Sequence, residues 1–283
     1  MAISRIGVVG CGLMGSGIVE TCARCGYDVI VREVNQELLD RGLARIKGSM
    51  AKGVEKGKLT AGEMDAAWAR IRGTCALEEL QASDLVIEAV TENMAEKKAI
   101  FSTLDRLCPA HTVIASNTSS MCITEMAAAT KRPDKVLGMH FFNPVPIMPL
   151  LELVRTIQTS DDTLQVARDV GASLHKTIVV AKDTPGFIVN LLLVPYLLGA
   201  VRALENNLAS REDIDTAMKL GLNHPMGPLT LLDFIGVDTA YYIANVMYDE
   251  FKEPQYAAPP LLKRMVLAGH LGRKTGKGFY DYK

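Results

Sequence analysis

The chain has 283 residues, a formal charge of −1 and 48% hydrophobic residues. This is the composition of a globular protein with room for one large domain or two modest ones. Its acidic and basic residues are almost balanced, which gives no support for a nucleic-acid or membrane-surface partner. The sequence therefore directs attention to small-molecule chemistry.

Cysteine usage and the chain ends indicate a cytoplasmic protein. The six cysteines are scattered, and Cys22 and Cys25 lie inside a predicted helix without a second pair or a histidine cluster. We therefore expect free thiols and no metal site. The opening residues lack a cleavable signal pattern, and the longest apolar run, Leu191–Val201, is too short to span a membrane and contains Pro195.

A glycine-rich motif follows the first predicted strand. Arg5–Gly10 is an apolar, β-branched run, and the G-x-G-x-x-G that starts at Gly10 leads into a predicted helix, Ser16–Cys25. A second predicted strand, Asp28–Arg32, then runs up to Glu33. A motif of this kind between a strand and a helix, followed by a strand that ends in an acid, is typical of a dinucleotide site.

Each residue of this motif has a physical role at such a site. Gly10 permits the tight turn, Gly12 lets the backbone approach a pyrophosphate, and Gly15 lets the helix pack on the sheet. The helix N-terminus offers N–H groups to phosphates. Glu33 is placed to bind the ribose hydroxyls, which favours NAD; Arg32 keeps NADP as the less favoured alternative. The predicted cofactor contacts of the turn are Gly10, Gly12, Leu13, Met14 and Gly15.

Two predicted helices follow the second strand. Asn35–Lys58 has apolar residues at helical spacing and several lysines in its last turns. In Leu59–Ala69, Thr60 and Glu63 are spaced to form a capping box. The lysines are either a solvated face or a basic lip for an anionic part of the substrate.

Two further predicted strands are each followed by a polar cluster. The strand Ser83–Val90 is followed by Thr91-Glu92-Asn93, and the strand Thr112–Ala115 by Ser116-Asn117-Thr118-Ser119-Ser120. The carboxyl ends of parallel strands face the ligand crevice of an open sheet. Glu92, and Lys97 on the helix that follows, are therefore candidate cofactor contacts. The serine cluster faces the ligand, caps the predicted helix Ile123–Ala129, or does both with different serines.

His140 stands at the end of a short apolar run, Lys135–Met139, that predicts a strand. Asn143 and Glu152 follow it by three and twelve residues. An imidazole can take a proton near neutral pH and return it in the reverse reaction, and a carboxylate can fix its tautomer. From these residues alone, His140 is either a general base with Glu152 as its partner or a hydrogen-bonded core residue.

The pattern changes near residue 184. Asp161–His175 predicts a helix and Thr177–Val180 a strand, but beyond Lys182–Gly186 only helical patterns remain. Four helices are predicted there: Phe187–Glu205, Arg211–Lys219, Thr230–Glu250 and Pro260–Ala268. We expect an α/β fold, with a Rossmann-type, mostly parallel sheet domain over 1–184 and an all-α domain over 185–283. The apolar stripes of the helical domain predict core or a homodimer interface.

Taken together, these motifs resemble one family, the short L-3-hydroxyacyl-CoA dehydrogenases, over essentially the whole chain. The resemblance depends on the glycine motif, the Ser116–Ser120 cluster, His140-Phe141-Phe142-Asn143-Pro144 and the spacing to Glu152. It continues in three later segments: Asp183–Asn190, His224-Pro225-Met226-Gly227-Pro228 and Gly272–Tyr280.

The resemblance implies a role for each matching residue. His140 is the base, Glu152 orients it, Ser119 lies near the substrate oxygen and the cofactor, and Asn190 belongs to the catalytic centre. The cofactor contacts that the resemblance implies are Glu33, Glu92, Lys97, Ser119, Asn143 and Lys274. Ser49 and Lys56 match positions that touch coenzyme A. One departure is visible, because Leu191 stands where the family often has arginine.

The expected reaction is the interconversion of (3S)-3-hydroxyacyl-CoA and 3-oxoacyl-CoA with NAD, with 3-hydroxybutyryl-CoA as the first substrate to test. Two alternatives stay open at this point. One is a β-hydroxyacid dehydrogenase that acts on a free acid, although such enzymes use a lysine base. The other is a non-catalytic dinucleotide-binding protein, since the Rossmann scaffold hosts many functions.

Overall fold

The computed structural model of the chain describes residues 3–282. The chain divides into two compact units, Met1–Thr184 and Pro185–Lys283. The first unit holds a sheet with helices between its strands, and the second is helical. The predicted fold class, a Rossmann-type sheet domain followed by an all-α domain, is confirmed.

Within the described residues, the sheet of the first unit has eight strands: β1 (Arg5–Val9), β2 (Asp28–Arg32), β3 (Ile71–Thr74), β4 (Leu85–Glu88), β5 (Val113–Ser116), β6 (Val136–Phe141), β7 (Leu150–Arg155) and β8 (Thr177–Lys182). Their order is β3-β2-β1-β4-β5-β6-β7-β8, and all neighbours are parallel except β6 and β7. The connections reverse direction between β1 and β4, which makes the carboxyl ends of these strands a ligand crevice.

In the part of this unit that the structure describes, six α-helices accompany the sheet: α1 (Leu13–Arg24), α2 (Gln36–Glu55), α3 (Ala61–Trp68), α4 (Met94–Leu107), α5 (Ile123–Ala127) and α6 (Asp161–Ser173). Side chains at their N-termini explain where several begin. Asn35 accepts a hydrogen bond from the Leu38 amide at the start of α2. The predicted capping box of α3, formed by Thr60 and Glu63, is confirmed.

The core of this unit explains the apolar strands. All residues of β4, β5 and β6 are buried, as expected for a parallel sheet that is covered on both faces. Helix α1 contributes Ile18, Val19 and Cys22 to the same cluster, and α6 contributes Ala167 and Val170. The strand ends that carry polar residues are thus held by a rigid apolar layer.

The second unit contains α7 (Val189–Glu205), α8 (Arg211–Gly221), α9 (Pro228–Ile235), α10 (Val237–Phe251) and α11 (Pro260–Leu267). Its core includes Leu197, Val201, Leu232 and Met247. None of the helices within residues 3–282 is both long and apolar enough to cross a membrane.

Two buried aspartates organise this helical unit. Asp215 accepts the amides of Leu229 and Thr230 and so caps α9. Asp233 accepts the amides of Phe279 and Tyr280 and thereby fixes the C-terminal tail. Both carboxylates are buried, so that their hydrogen bonds contribute more than surface contacts do.

The structure adds strands β3 and β7, for which the sequence analysis gives no bounds, and changes two predicted helices. The single predicted helix Thr230–Glu250 is in fact two helices, because Gly236 has a φ of 106°, which favours glycine and interrupts the helical backbone. The predicted helix Phe187–Glu205 begins at Val189, since Phe187 has a φ of 52°.

Candidate active site

His140 and Glu152 form a cross-strand pair. The antiparallel register of β6 and β7 places His140 directly opposite Glu152. The Nδ1 atom of His140 lies 2.7 Å from Oε2 of Glu152. His140 is 6% exposed and Glu152 is fully buried. The twelve-residue spacing is therefore that of two strands joined by one loop, with both side chains on the same face of the sheet.

This hydrogen bond sets the tautomer of the histidine. An ionised carboxylate can only accept, so the ring proton lies on Nδ1 and the neutral ring carries its lone pair on Nε2. Phe142 packs against the imidazole, with the ring centroids 4.6 Å apart. The geometry is that of a base whose orientation is fixed and whose protonated form has a counter-charge beside it.

The glycine-rich turn forms a cradle at the end of β1. Gly10 has a φ of 99°, and a Cβ at this position would lie 2.6 Å from the Ala89 carbonyl oxygen. A Cβ on Gly15 would lie 2.0 Å from the Gly10 oxygen. Both glycines are thus required by close backbone contact, as the sequence predicted.

The same turn leaves space where a pyrophosphate would sit. Apart from Gly12 itself and its two neighbours in the chain, no atom of the described residues lies within 4 Å of a Cβ built on Gly12. Gly12 is also the N-cap of α1 and has no side chain that could accept the first amides of the helix. An open cradle at an uncapped helix N-terminus fits the diphosphate of a dinucleotide.

Glu33 lies against this cradle. Its Oε2 accepts the Cys11 amide at 2.8 Å and its Oε1 accepts the Val34 amide at 2.8 Å. The negative charge therefore faces the turn where the adenosine ribose of a dinucleotide is expected. The Arg32 side chain contacts the Cys75 carbonyl on the β3 side.

Glu92 and Lys97 belong to a buried ion-pair network. The Lys97 Nζ atom lies 2.7 Å from Oε1 of Glu88 and 3.3 Å from Oε2 of Glu92. Lys97 is 1% exposed and Glu88 is fully buried. Sequence reasoning missed Glu88, although an acid that ends the apolar run Leu85–Ile87 is a recognisable signal.

Ser119 is brought to Glu92 by the loop after β5. Its amide donates to Oε1 of Glu92 at 3.0 Å. Asn117, in the same loop, accepts the Phe141 amide and so ties the loop to the strand that carries His140. The serine loop thus lies between the Glu92 turn and the histidine strand.

The alternative in which the serine cluster caps α5 is wrong. The carboxylate of Asp183 accepts the Ile123 and Thr124 amides, so this aspartate supplies the cap. Cys122, the N-cap residue, makes no side-chain cap bond among the described contacts. The serine cluster therefore has no capping duty at this helix.

The structure also gives the positions of five further predicted site residues. Ser49 lies on α2 and Lys56 directly follows it, and both are exposed. Asn190 lies on α7 and Lys274 in a short 3-10 helix, Arg273–Thr275, both in the helical unit. Lys274 pairs with Asp238 at 2.6 Å. Asn143 is exposed in the loop after β6. The ligand contacts of all five stay predictions.

The described part of the chain, residues 3–282, contains no group of three or more His, Cys, Asp or Glu side chains that could hold a metal ion. The site combines a dinucleotide cradle at the end of β1 with a histidine–carboxylate pair on β6 and β7. Such a site defines an oxidoreductase that uses a nicotinamide dinucleotide.

Comparison with known sequences assigns the family. Residues 5–184 match the family described as 3-hydroxyacyl-CoA dehydrogenase, NAD binding domain. Residues 186–282 match 3-hydroxyacyl-CoA dehydrogenase, C-terminal domain. The chain belongs to the 3-hydroxyacyl-CoA dehydrogenase family, and the resemblance found in the sequence is confirmed.

Individual relatives are similar over their full lengths. The chain is 50% identical to 3-hydroxybutyryl-CoA dehydrogenase of Mycobacterium tuberculosis, with 99% of each chain covered. It is 47% identical to a probable 3-hydroxybutyryl-CoA dehydrogenase of Bacillus subtilis, covering 100% of this chain and 99% of the relative. Among solved structures, (S)-3-hydroxybutyryl-CoA dehydrogenase from Ralstonia eutropha superimposes with a TM-score of 0.95, at 44% identity and with 100% of both chains covered.

Proposed function

We propose that this enzyme interconverts (3S)-3-hydroxyacyl-CoA and 3-oxoacyl-CoA with NAD, and that 3-hydroxybutyryl-CoA is its preferred substrate. The relatives named for this substrate, at about half identity over the full chain, support the assignment. The observation that carries the chemistry is the 2.7 Å hydrogen bond between His140 and Glu152.

In the oxidation direction, Nε2 of His140 takes the proton of the 3-hydroxyl group. NAD held at the glycine-rich cradle would supply the acceptor for the hydride that leaves C3 of the substrate. The substrate thus loses one proton and one hydride, and its C–O single bond becomes the carbonyl of the 3-oxo product. Glu152 stabilises the imidazolium, and in the reverse direction His140 returns the proton to the oxygen.

Other residues bind and orient the reactants in this proposal. Ser119 holds the substrate oxygen, which is an orientation effect. Ser49 and Lys56 contact the coenzyme A portion, with the exposed lysine facing its phosphates. Glu33 binds the ribose hydroxyls and selects NAD over NADP, because a 2′-phosphate would meet its carboxylate.

The test is the reduction of acetoacetyl-CoA, compared with free acetoacetate and with longer 3-oxoacyl-CoA substrates, followed by the absorbance of NADH. We expect turnover of the thioester and little of the free acid. Turnover of free acetoacetate at an equal or higher rate would identify a β-hydroxyacid dehydrogenase instead. Replacement His140→Ala is expected to lower kcat by roughly 10²–10⁴; a kcat near that of the wild type would remove His140 from the role of base.

We also propose a homodimer formed through the helical unit. Several large apolar side chains of this unit are exposed in the single chain: Leu192, Leu208, Leu220, Leu222 and Leu267. Exposed apolar area of this kind marks an association surface. Sedimentation equilibrium is expected to give twice the mass of the chain, and a monomer at micromolar concentration would contradict the proposal.

All six cysteines are free thiols, which supports a place in the reducing cytoplasm.

A further inference from the structure

Glu88 is a carboxylate at the end of β4 that the proposed chemistry does not use. It is fully buried, and three donors from three different segments converge on it. Its Oε1 accepts the ammonium of Lys97 on α4 at 2.7 Å and the amide of Val90 in the turn after β4 at 2.7 Å. Its Oε2 accepts the hydroxyl of Ser116 at the end of β5 at 2.6 Å. One side chain thus joins three segments at the crevice edge of the sheet.

The bond to Val90 supports the dinucleotide cradle. Val90 follows Ala89, whose carbonyl oxygen lies 2.6 Å from the Cβ position of Gly10. The side chain of Ala89 lies 3.7 Å from the Cβ position of Gly15. The glycine-rich turn therefore packs against the turn after β4. Glu88 fixes the backbone of the turn after β4 through its bond to the Val90 amide.

The other two bonds support the serine loop. Lys97, held by Glu88, also lies 3.3 Å from Oε2 of Glu92, and Oε1 of Glu92 accepts the Ser119 amide at 3.0 Å. The Ser116 hydroxyl, which donates to Glu88, accepts the Thr118 amide at 3.2 Å. Glu88 is thus connected to the segment that carries Ser119 by two sets of contacts, one through Lys97 and Glu92 and one through Ser116.

The distribution of charge explains why Glu88 matters. Lys97 is 1% exposed and its ammonium stands between two carboxylates. Glu92 is 28% exposed, so Glu88 is the fully buried partner of this cation. Without the charge of Glu88, the buried ammonium would depend on Glu92 alone, because an unbalanced buried charge is strongly unfavourable. Glu92 would then be drawn towards Lys97 and away from the Ser119 amide.

We propose that Glu88 is a positioning residue that holds the dinucleotide cradle and the Ser119 loop in register through Val90, Lys97 and Ser116. The inference deepens the proposed function and rests on it for the identity of the ligand. It does not give Glu88 any contact with the substrate or the cofactor. Its effect is on the placement of groups that do make such contacts, and small misplacements of this kind are costly.

The test compares Glu88→Gln with Glu20→Gln. Glu20 is a matched control, because it is 2% exposed and paired with a cation, Arg24, at 3.3 Å on α1. The dissociation constant for NADH is measured by fluorescence titration, and Tm by thermal unfolding. We expect both variants to lose thermal stability. Only Glu88→Gln is expected to weaken NADH binding, by about tenfold, while the control stays within about twofold of wild type.

A second pair of variants keeps the test decisive if Glu88→Gln does not fold. Ser116→Ala removes one neutral donor and should raise the NADH dissociation constant by about threefold. Glu88→Asp keeps the charge beside Lys97 and should restore part of the affinity that Glu88→Gln loses. NADH binding by Ser116→Ala that equals the Glu20→Gln control would overturn the positioning role, whether or not Glu88→Gln folds.

The two levels of proposal fail in different ways. A wild-type enzyme that binds NADH but does not reduce acetoacetyl-CoA would refute the proposed function, independently of the NADH affinities of the Glu88 variants. An active wild-type enzyme whose Glu88 variants bind NADH normally would sink only the positioning role. The binding assay does not require turnover, so the two results can be read separately.

Discussion

Replacement of Glu152 by glutamine isolates the charge of the histidine–carboxylate pair. The amide has nearly the shape of the carboxylate and can still accept from Nδ1 of His140 through its oxygen. It cannot balance the positive charge that the ring acquires when it takes the substrate proton. The variant therefore separates the orientation of the ring, which is kept, from the stabilisation of the imidazolium, which is lost.

The magnitude follows from the geometry. With 2.7 Å between Nδ1 and Oε2, the two charge centres lie about 4 Å apart, and their attraction is about 4 kcal/mol at an effective dielectric constant near 20. The neutral amide hydrogen bond that replaces it contributes about 1 kcal/mol. The carboxylate is buried both before and during proton transfer, so its desolvation cost is the same in both states and does not affect kcat. The remaining loss of about 3 kcal/mol corresponds to roughly a hundredfold lower kcat.

The assay is the steady-state reduction of acetoacetyl-CoA, with NADH binding and Tm measured on the same preparation. We expect kcat to fall roughly a hundredfold while the NADH dissociation constant stays unchanged, because Glu152 does not border the glycine-rich cradle. Glu20→Gln serves again as the control for loss of a buried carboxylate. A Glu152→Gln enzyme that folds, binds NADH and keeps its kcat would show that the pair contributes nothing to proton transfer.

Three other predictions address the cofactor, the tail and the pH dependence of stability. Glu33→Ala should raise KM for NAD far more than it changes kcat; an unchanged KM would refute the ribose contact. Asp233→Asn should lower the free energy of unfolding by about 2–3 kcal/mol, since the buried carboxylate accepts hydrogen bonds from two amides and from the Tyr282 hydroxyl. Urea unfolding measures this loss, and the exposed Asp281→Asn is the control. Equal losses in the two variants would refute the role of Asp233. Burial raises the pKa of Asp84, but hydrogen bonds from Ser4 and Arg5 outweigh it and lower the pKa below 3.8. Because its pKa is lower in the folded state, Asp84 stabilises the fold at pH values above its unfolded-state pKa, and this stabilisation is lost as the pH falls through the folded-state pKa. Urea unfolding of Asp84→Asn should therefore show a free energy of unfolding about 1 kcal/mol lower than that of the wild type at neutral pH, with no difference in acid. A difference that does not change with pH would contradict this explanation.

The dinucleotide cradle could be predicted from the sequence because its determinants are local. The turn at Gly10, the close contact at Gly15 and the acid at Glu33 all follow from residues within one strand–helix–strand unit. Each requirement is set by backbone conformation or by contact between neighbouring segments of this unit. The contact of Gly10 with the Ala89 carbonyl oxygen involves the turn after β4 and lies outside this local pattern.

The pairing of His140 with Glu152 was proposed, but the strand that creates it was missed. The run Leu150–Arg155 is interrupted by Glu152, so the carboxylate weakens the apolar pattern that would reveal β7. Glu88 was overlooked because the predicted strand Ser83–Val90 extends past it, so that its position at the end of β4 was not recognised. Local rules fail at functional positions, where a buried polar group is kept for its chemistry.

The break at Gly236 was missed for a different reason. Helices α9 and α10 both bury apolar residues in the same core, so the helical periodicity continues across the junction. Only the backbone conformation of Gly236, with a φ of 106°, separates them. An isolated glycine inside a helical pattern is common enough that it does not by itself predict such a break.

The one antiparallel junction of the sheet explains why the acid partner of His140 lies so near in sequence. A carboxylate beside Nδ1 must come from the neighbouring strand at the same level, and a parallel neighbour would need a crossover connection of about a dozen residues or more. The antiparallel return needs only residues 142–149. Lys176 holds this loop by donating to the carbonyl oxygens of Val145 and Met148 at 2.6 and 2.8 Å. The ladder between β6 and β7 therefore sets the distance between base and carboxylate, because its register places the two residues opposite each other.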